Sequence, residues 1–227
     1  MREGIRAELR SILRQYAELN KPLDRFEFAA GRSVAEPRYY VAFDTRDRRG
    51  VRGLRSRIGT IQLPDEGIRD STLQFAQSVW HLKDRLHQWL KARDMLIDID
   101  SFCQHNIHIL ICADLANTKK HGTCTNRSGL KPRLGLVKFD VSKNGIVELF
   151  YDGAMKEKEL LVSDPVPIPC EVQLEVEGRE DISRNAVTVV WRAFLDWLPL
   201  IKQAGVLASD DPESVSLREL LFETGTV

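Results

Sequence analysis

No stretch of about 18 consecutive apolar residues occurs in the chain, so nothing in it reads as a bilayer-spanning helix. Residues 1–6, Met-Arg-Glu-Gly-Ile-Arg, have no apolar signal-peptide core, and a cytoplasmic protein is expected. Cysteine is scarce: Cys103, Cys112, Cys124 and Cys170 never stand as C-x-x-C pairs, which argues for free thiols over a disulfide frame and against a zinc ribbon. There is no G-x-G-x-x-G, no G-x-x-x-x-G-K and no G-x-S-x-G, so dinucleotide-binding, P-loop and nucleophile-elbow chemistry have no support. Net charge is also missing, because 33 Lys and Arg balance 33 Asp and Glu; global charge selects no partner. No repeat and no low-complexity tract breaks the 227 residues. With 43% hydrophobic and 29% charged residues, this is the composition of an ordinary globular chain.

Periodicity supplies the elements. Ile5, Leu9, Ile12, Leu13 and Tyr16 recur at helical spacing and predict a helix over 3–19, ended by Asn20-Lys21-Pro22. Residues 38–43 and 58–61 are β-like, and between them lies a loop with six arginines: Arg46, Arg48, Arg49, Arg52, Arg55 and Arg57. A second helix is expected over 70–93, burying Phe75, Val79, Leu82, Leu86, Trp89 and Leu90. A third, apolar nearly all round, is expected to start at an Asp100 or Ser101 cap and to stop at Lys119-Lys120-His121-Gly122. From 133 to 177 the period switches to two. Residues 134–141 and 146–151 flank Ser142-Lys143-Asn144-Gly145, a hairpin signature, and strands at 159–162 and 171–176 follow. The period returns to helix over 181–198, with Pro199 expected to end or kink it, and a short helix is expected at 215–222.

The fold expected is α+β: mainly a helical bundle with a small antiparallel β-meander inserted before the last long helix. One domain is favoured, made of 1–93 (helices with the Arg-rich β-hairpin loop), 100–122 (central helix), 133–177 (meander), 181–206 (final long helix) and 207–227 (tail).

Chemistry concentrates in Asp114-Leu115-Ala116-Asn117-Thr118-Lys119-Lys120-His121. At 100° per residue, Asp114, Asn117 and His121 fall within about 60° of one another, on the face that also carries Leu110 and Cys103. A polar cluster continuing an apolar stripe is costly unless hydrogen-bonded or used. The bland reading is a helix end, with cations balancing the macrodipole while Asp114 and Asn117 bond neighbouring helices. The functional reading is acid–base chemistry by His121, with Lys120 offering charge to a phosphate and Asn117 orienting either group.

The segment Ala116-Asn117-Thr118-Lys119-Lys120-His121 resembles the Arg-Asn-x-x-x-His motif of the HEPN superfamily, with Ala116 in the arginine position. Trp80-His81-Leu82-Lys83-Asp84 followed by Asp114-x-x-Asn117-x-x-Lys120-His121, strands, and a helix bearing Trp191 is similar to a group of uncharacterised bacterial helical proteins. The resemblance runs from about Leu73 to Trp197 in order of elements. It implies a helical bundle, RNA as the molecule bound or cut, metal-independent ribonuclease activity without a cofactor, and a toxin or antiphage-defence setting. Asp114, Asn117, Lys120 and His121 would be its catalytic set.

Other readings stay open. The Arg46–Arg57 loop, with only Asp47 opposing six arginines, suits phosphate contacts, an acidic partner protein, or plain solvation. His81 and Asp84 could support Asp114 and His121, or make a metal-dependent hydrolase with them if their helices are antiparallel neighbours; a solvated polar face is the simpler account, and no metal is assigned. His105, His108 and Cys112 line one side of the third helix and are best explained by packing. Trp80, Trp89, Trp191 and Trp197 read as core or interface residues. A non-catalytic binding or assembly module, partnered by another protein or a second copy, is the main alternative function, motivated by Ala116.

Overall fold

The computed structural model describes residues 2–21, 53–55, 60–63, 65–121, 127–140, 147–150, 159–162 and 170–207. The elements are α1 (Arg2–Asn20), β1 (Gly53–Arg55), β2 (Thr60–Leu63), α2 (Glu66–Lys91), α3 (Ile99–Gln104), α4 (Ile107–His121), β3 (Arg133–Asp140), β4 (Val147–Phe150), β5 (Glu159–Val162), β6 (Cys170–Glu175) and α5 (Ala186–Gln203). The class is α+β and mainly helical, with antiparallel strands before the last helix. Two compact units are distinguished: Met1–Ala17, Asp70–Arg133 and Leu174–Val227 form one, and Glu18–Arg69 with Leu134–Gln173 the other.

The first unit is the helical one. α1 buries Ile5, Leu9 and Ile12, and its Tyr16 ring stacks on Trp191 of α5 with centroids 3.8 Å apart. Gln15 Nε2 donates to Ser78 Oγ of α2 at 3.1 Å. α2 buries the stripe its periodicity predicts and adds Thr72 and Ala76. It begins at Glu66, a turn before Asp70, because Asp65 Oδ1 accepts from Ile68 N at 2.9 Å and caps the helix. It ends with Asp94 in the left-handed region (φ 52°) and Met95 N bonded back to Leu90 O at 3.1 Å.

The third predicted helix is two. Asp98, rather than Asp100 or Ser101, caps α3: its Oδ1 accepts from Ser101 N at 2.9 Å. α3 stops at Gln104, where the Asn106 side chain takes over the Phe102 carbonyl and the His105 ring shares the Ser101 carbonyl with its own backbone N–H. Asn106 Nδ2 donates to Phe102 O at 2.7 Å, and His105 Nδ1 lies 2.7 Å from Ser101 O. Asn106 O then accepts from Leu110 N at 3.0 Å and α4 starts afresh. α4 and α5 pack directly, as expected for helices either side of a strand block. Ile109, Ile111 and Cys112 of α4 and Val189, Val190, Phe194 and Trp197 of α5 are all buried.

α5 begins at Ala186 instead of Asp181. Leu174 N takes Arg184 O at 2.7 Å, which holds the approach extended, and Asn185 Oδ1 caps Val187 N at 3.0 Å. Pro199 does not end it; the helix runs through an exposed proline to Gln203, held by buried Leu200 and Ile201. Gly205 (φ 66°) closes it: Gly205 N bonds Lys202 O at 2.9 Å and Val206 N bonds Ile201 O at 3.2 Å, the paired bonds of a Schellman end. Trp89 Nε1 donates to Ala204 O at 2.9 Å, tying the end of α2 to this cap.

The second unit carries the strand pairings. One sheet has the order β1-β4-β5 and the other β2-β3-β6. Thr60 pairs Asp140 and Leu63 pairs Val137; Gly53 pairs Phe150 and Arg55 pairs Glu148. The Asn144-Gly145 signature predicts β3 beside β4, yet these strands belong to different sheets. β3 lies between β2 and β6, where Val137 and Phe139 become buried and Lys138 meets Glu171 across the ladder at 3.7 Å. Non-local burial outweighs the local turn preference. β1 also falls inside the predicted arginine loop, so Arg55 is a strand residue. The expected strand at 38–43 and helix at 215–222 lie outside the described residues.

Candidate functional site

Asp114 sits in the penultimate turn of α4 with no solvent exposure. Its Oδ1 accepts from Arg127 N at 2.6 Å; its Oδ2 accepts from Ser128 N at 2.8 Å and from Ser128 Oγ at 2.7 Å. Ser128 Oγ in turn accepts from Leu130 N at 3.2 Å. The carboxylate thus organises a turn thirteen residues downstream, as the hydrogen-bonding demand of a buried charge requires. Gly129 (φ 74°) supplies the left-handed step that a two-residue grip on this turn needs. The far side of the turn is held too: Leu130 O accepts from Glu177 N at 3.0 Å, and Lys131 Nζ meets Glu177 Oε2 at 3.1 Å.

The turn delivers a side chain to the surface. The Arg127 guanidinium lies 5.4 Å from the ring centroid of Trp80 on α2, and Lys83 Nζ lies 5.2 Å from the same ring. Lys83 is also 2.5 Å from Asp100 Oδ1, a bond that holds the Asp100 carboxyl below its ordinary range. Trp80 is half-buried and Arg127 exposed, and among the described residues no carboxylate is paired with Arg127.

Asn117 is half-buried one turn beyond Asp114, and Thr118 Oγ1 donates to Asp114 O at 2.9 Å, satisfying a carbonyl near the helix end. Lys119, Lys120 and His121 form the last turn of α4, their side chains lying outside the described residues. Ala116, in the position where the HEPN motif has arginine, is 5% exposed. His81 and Asp84 lie exposed on α2, whereas the Asp114 carboxylate is engaged by the 127–128 turn. Among the described residues no group of three His, Cys, Asp or Glu is placed to hold a metal.

The His105, His108 and Cys112 set does not share a helix: His105 caps α3, while His108 Nδ1 pairs with Asp196 Oδ2 at 3.1 Å. Cys112 is fully buried; burial pushes its thiol far up, and the Asp196 charge adds to the effect. Cys103, Cys112 and Cys170 are free thiols, and Cys124 lies outside the described residues. Of the arginine loop, Arg55 closes β1 opposite Glu148; Arg46, Arg48, Arg49, Arg52 and Arg57 lie outside the described residues.

Sequence reasoning overlooked Trp80, Lys83, Arg127 and Ser128 as one cluster. A charge count was the available signal: between Asp114 and Asp140 there is no acidic residue, while Lys119, Lys120, Arg127, Lys131, Arg133 and Lys138 are all cationic. No protein-family model, curated protein or solved structure matches the chain.

Proposed function

We propose that this chain is a HEPN-like RNA-binding protein of the bacterial toxin or antiphage-defence type, whose contact with RNA is made at the C-terminal end of α4. The observation that carries the reading is the grip of buried Asp114 on the Arg127–Leu130 turn. That grip holds Arg127 against the penultimate turn of α4, one turn before Lys120 and His121, and lysine and arginine charge near a helix end is what a polyanion needs. In this reading Asp114 positions the turn, and His121 is the one group there able to move a proton near neutral pH. Lys120 supplies charge to the phosphate as a point cation, without the bidentate fork of arginine. The arginines of 46–57 are a separate candidate for phosphate contact.

A second reading is favoured by Ala116. A buried methyl group at that position supplies no phosphate ligand, so the same scaffold serves as a non-catalytic binding module in a conflict system. The assay that separates the two incubates purified chain with labelled RNA at low salt in EDTA, comparing wild type with His121→Ala. Metal-independent cleavage lost in the variant while binding persists supports the nuclease. Binding without cleavage supports the module. No RNA binding by wild type at low salt removes the RNA reading altogether.

A further inference from the structure

We infer that Trp80, Lys83 and Arg127 form a binding site for an unpaired nucleotide, with the base stacked on the Trp80 indole and the 5′ or 3′ phosphate on the Arg127 guanidinium; this rests on the RNA reading above. Trp80 stands apart from the buried stripe of α2, which is Phe75, Val79, Leu82, Leu86, Trp89 and Leu90. The stripe is complete without it, and a half-buried indole facing two cations serves no core-packing need.

The two cations differ. Lys83 has its charge met by Asp100 at 2.5 Å, so its ammonium fixes the ring's surroundings. Arg127 has no carboxylate partner among the described residues and is exposed, which leaves its planar fork for a phosphate. Its backbone is held by the fully buried Asp114, so the guanidinium approaches the indole from an ordered turn rather than a loose loop. Both cations lie over the Trp80 ring, so a base reaches the indole by taking the place of the Arg127 guanidinium, which turns to the phosphate; the exchange suits a single strand, in which every base has a face to stack and every linkage carries a charge. A duplex hides its base faces, so the site discriminates against it.

The test is fluorescence anisotropy of the full-length chain with a short labelled oligouridine and, separately, a blunt RNA duplex, using wild type, Trp80→Ala, Trp80→Phe and Arg127→Ala. Folding of each is checked by far-ultraviolet circular dichroism. Trp80→Ala is expected to weaken oligouridine binding about tenfold, Trp80→Phe to stay within about threefold of wild type, and duplex affinity to stay unchanged in both. Arg127→Ala is expected to lower the slope of log affinity against log salt by about one. As a readout that needs no alanine variant, oligouridine quenches the intrinsic fluorescence of wild type more than that of Trp80→Phe. Wild type that binds oligouridine with Trp80→Ala and Trp80→Phe both unchanged in affinity and quenching overturns the stacking site and leaves the RNA reading standing. Wild type that binds neither RNA overturns both.

Discussion

Replacing Asp114 is the sharpest test of how α4 and the 127–131 turn are joined. The carboxylate accepts three hydrogen bonds at 2.6, 2.8 and 2.7 Å from a position without solvent exposure. A hydrogen bond to a charged group is worth about 1.5–3 kcal/mol, so the gross stake is about 5–9 kcal/mol. Asp114→Ala does not lose all of it. Arg127 is exposed and Ser128 half-buried, so water reaches some of the released donors; a net loss of about 3–5 kcal/mol is expected. Asp114→Asn keeps one acceptor oxygen but turns an amide NH2 toward a donor, and about 2–3 kcal/mol is expected to go. Ser128→Ala removes a single donor, about 1 kcal/mol. The two sites share a bond, so the double variant should be milder than the sum by about 1–2 kcal/mol. Urea unfolding followed at 222 nm gives each value, and native-state hydrogen exchange should show the Arg127 and Ser128 amides losing protection in Asp114→Ala. A loss under about 1 kcal/mol for Asp114→Ala, or additive single variants, would refute the idea that this carboxylate anchors the turn.

Two further outcomes follow from the frame. Pro199→Ala restores an amide donor to the Leu195 carbonyl inside a helix that already runs to Gln203; a gain of about 1–2 kcal/mol, raising Tm by roughly 3–6 °C, is expected, and a lower Tm in calorimetry would contradict it. Burial pushes the Cys103 thiol from 9.0 up to about 11. The folded state keeps this thiol protonated while the unfolded chain begins to ionise near its ordinary value, so the stabilisation is present below pH 9 and is lost between about 9 and 11. The stability gap between wild type and Cys103→Ala should therefore narrow over that window in urea titrations, and a constant gap would count against a buried neutral thiol.

Much of the helical frame was legible because amphipathic helices announce themselves. The stripes of α1, α2 and α5 follow the 3.6-residue period, and most of the residues it names are buried, with Leu13, Tyr16 and Leu195 half-buried. The α3–α4 break was not. The segment is apolar nearly all round, so periodicity carries no boundary, and the interruption comes from two side chains that bond backwards to their own turn. Strand positions were legible from alternation, but partners were not: Asn144-Gly145 speaks only for neighbours in sequence, while β3 finds β2 and β6. Within the site, the cost of Asp114 on an apolar face was visible, whereas its payee, the Ser128 turn, stands thirteen and fourteen residues away with no periodic relation to it. Trp80 was visible as a residue but not as a surface, because exposure is decided by neighbours the sequence does not order.

The pairing of β1 with β4 and of β2 with β3 sets a timetable for synthesis. A ribosome that has released α1 to α4 has also released both early strands, and neither yet has its partner. β2 waits for the arrival of β3, and β1 waits longer, for β4. Sheet assembly in this chain is a late, long-range event, and a nascent chain stalled before residue 133 exposes edges that only a chaperone or a neighbouring chain is there to cover.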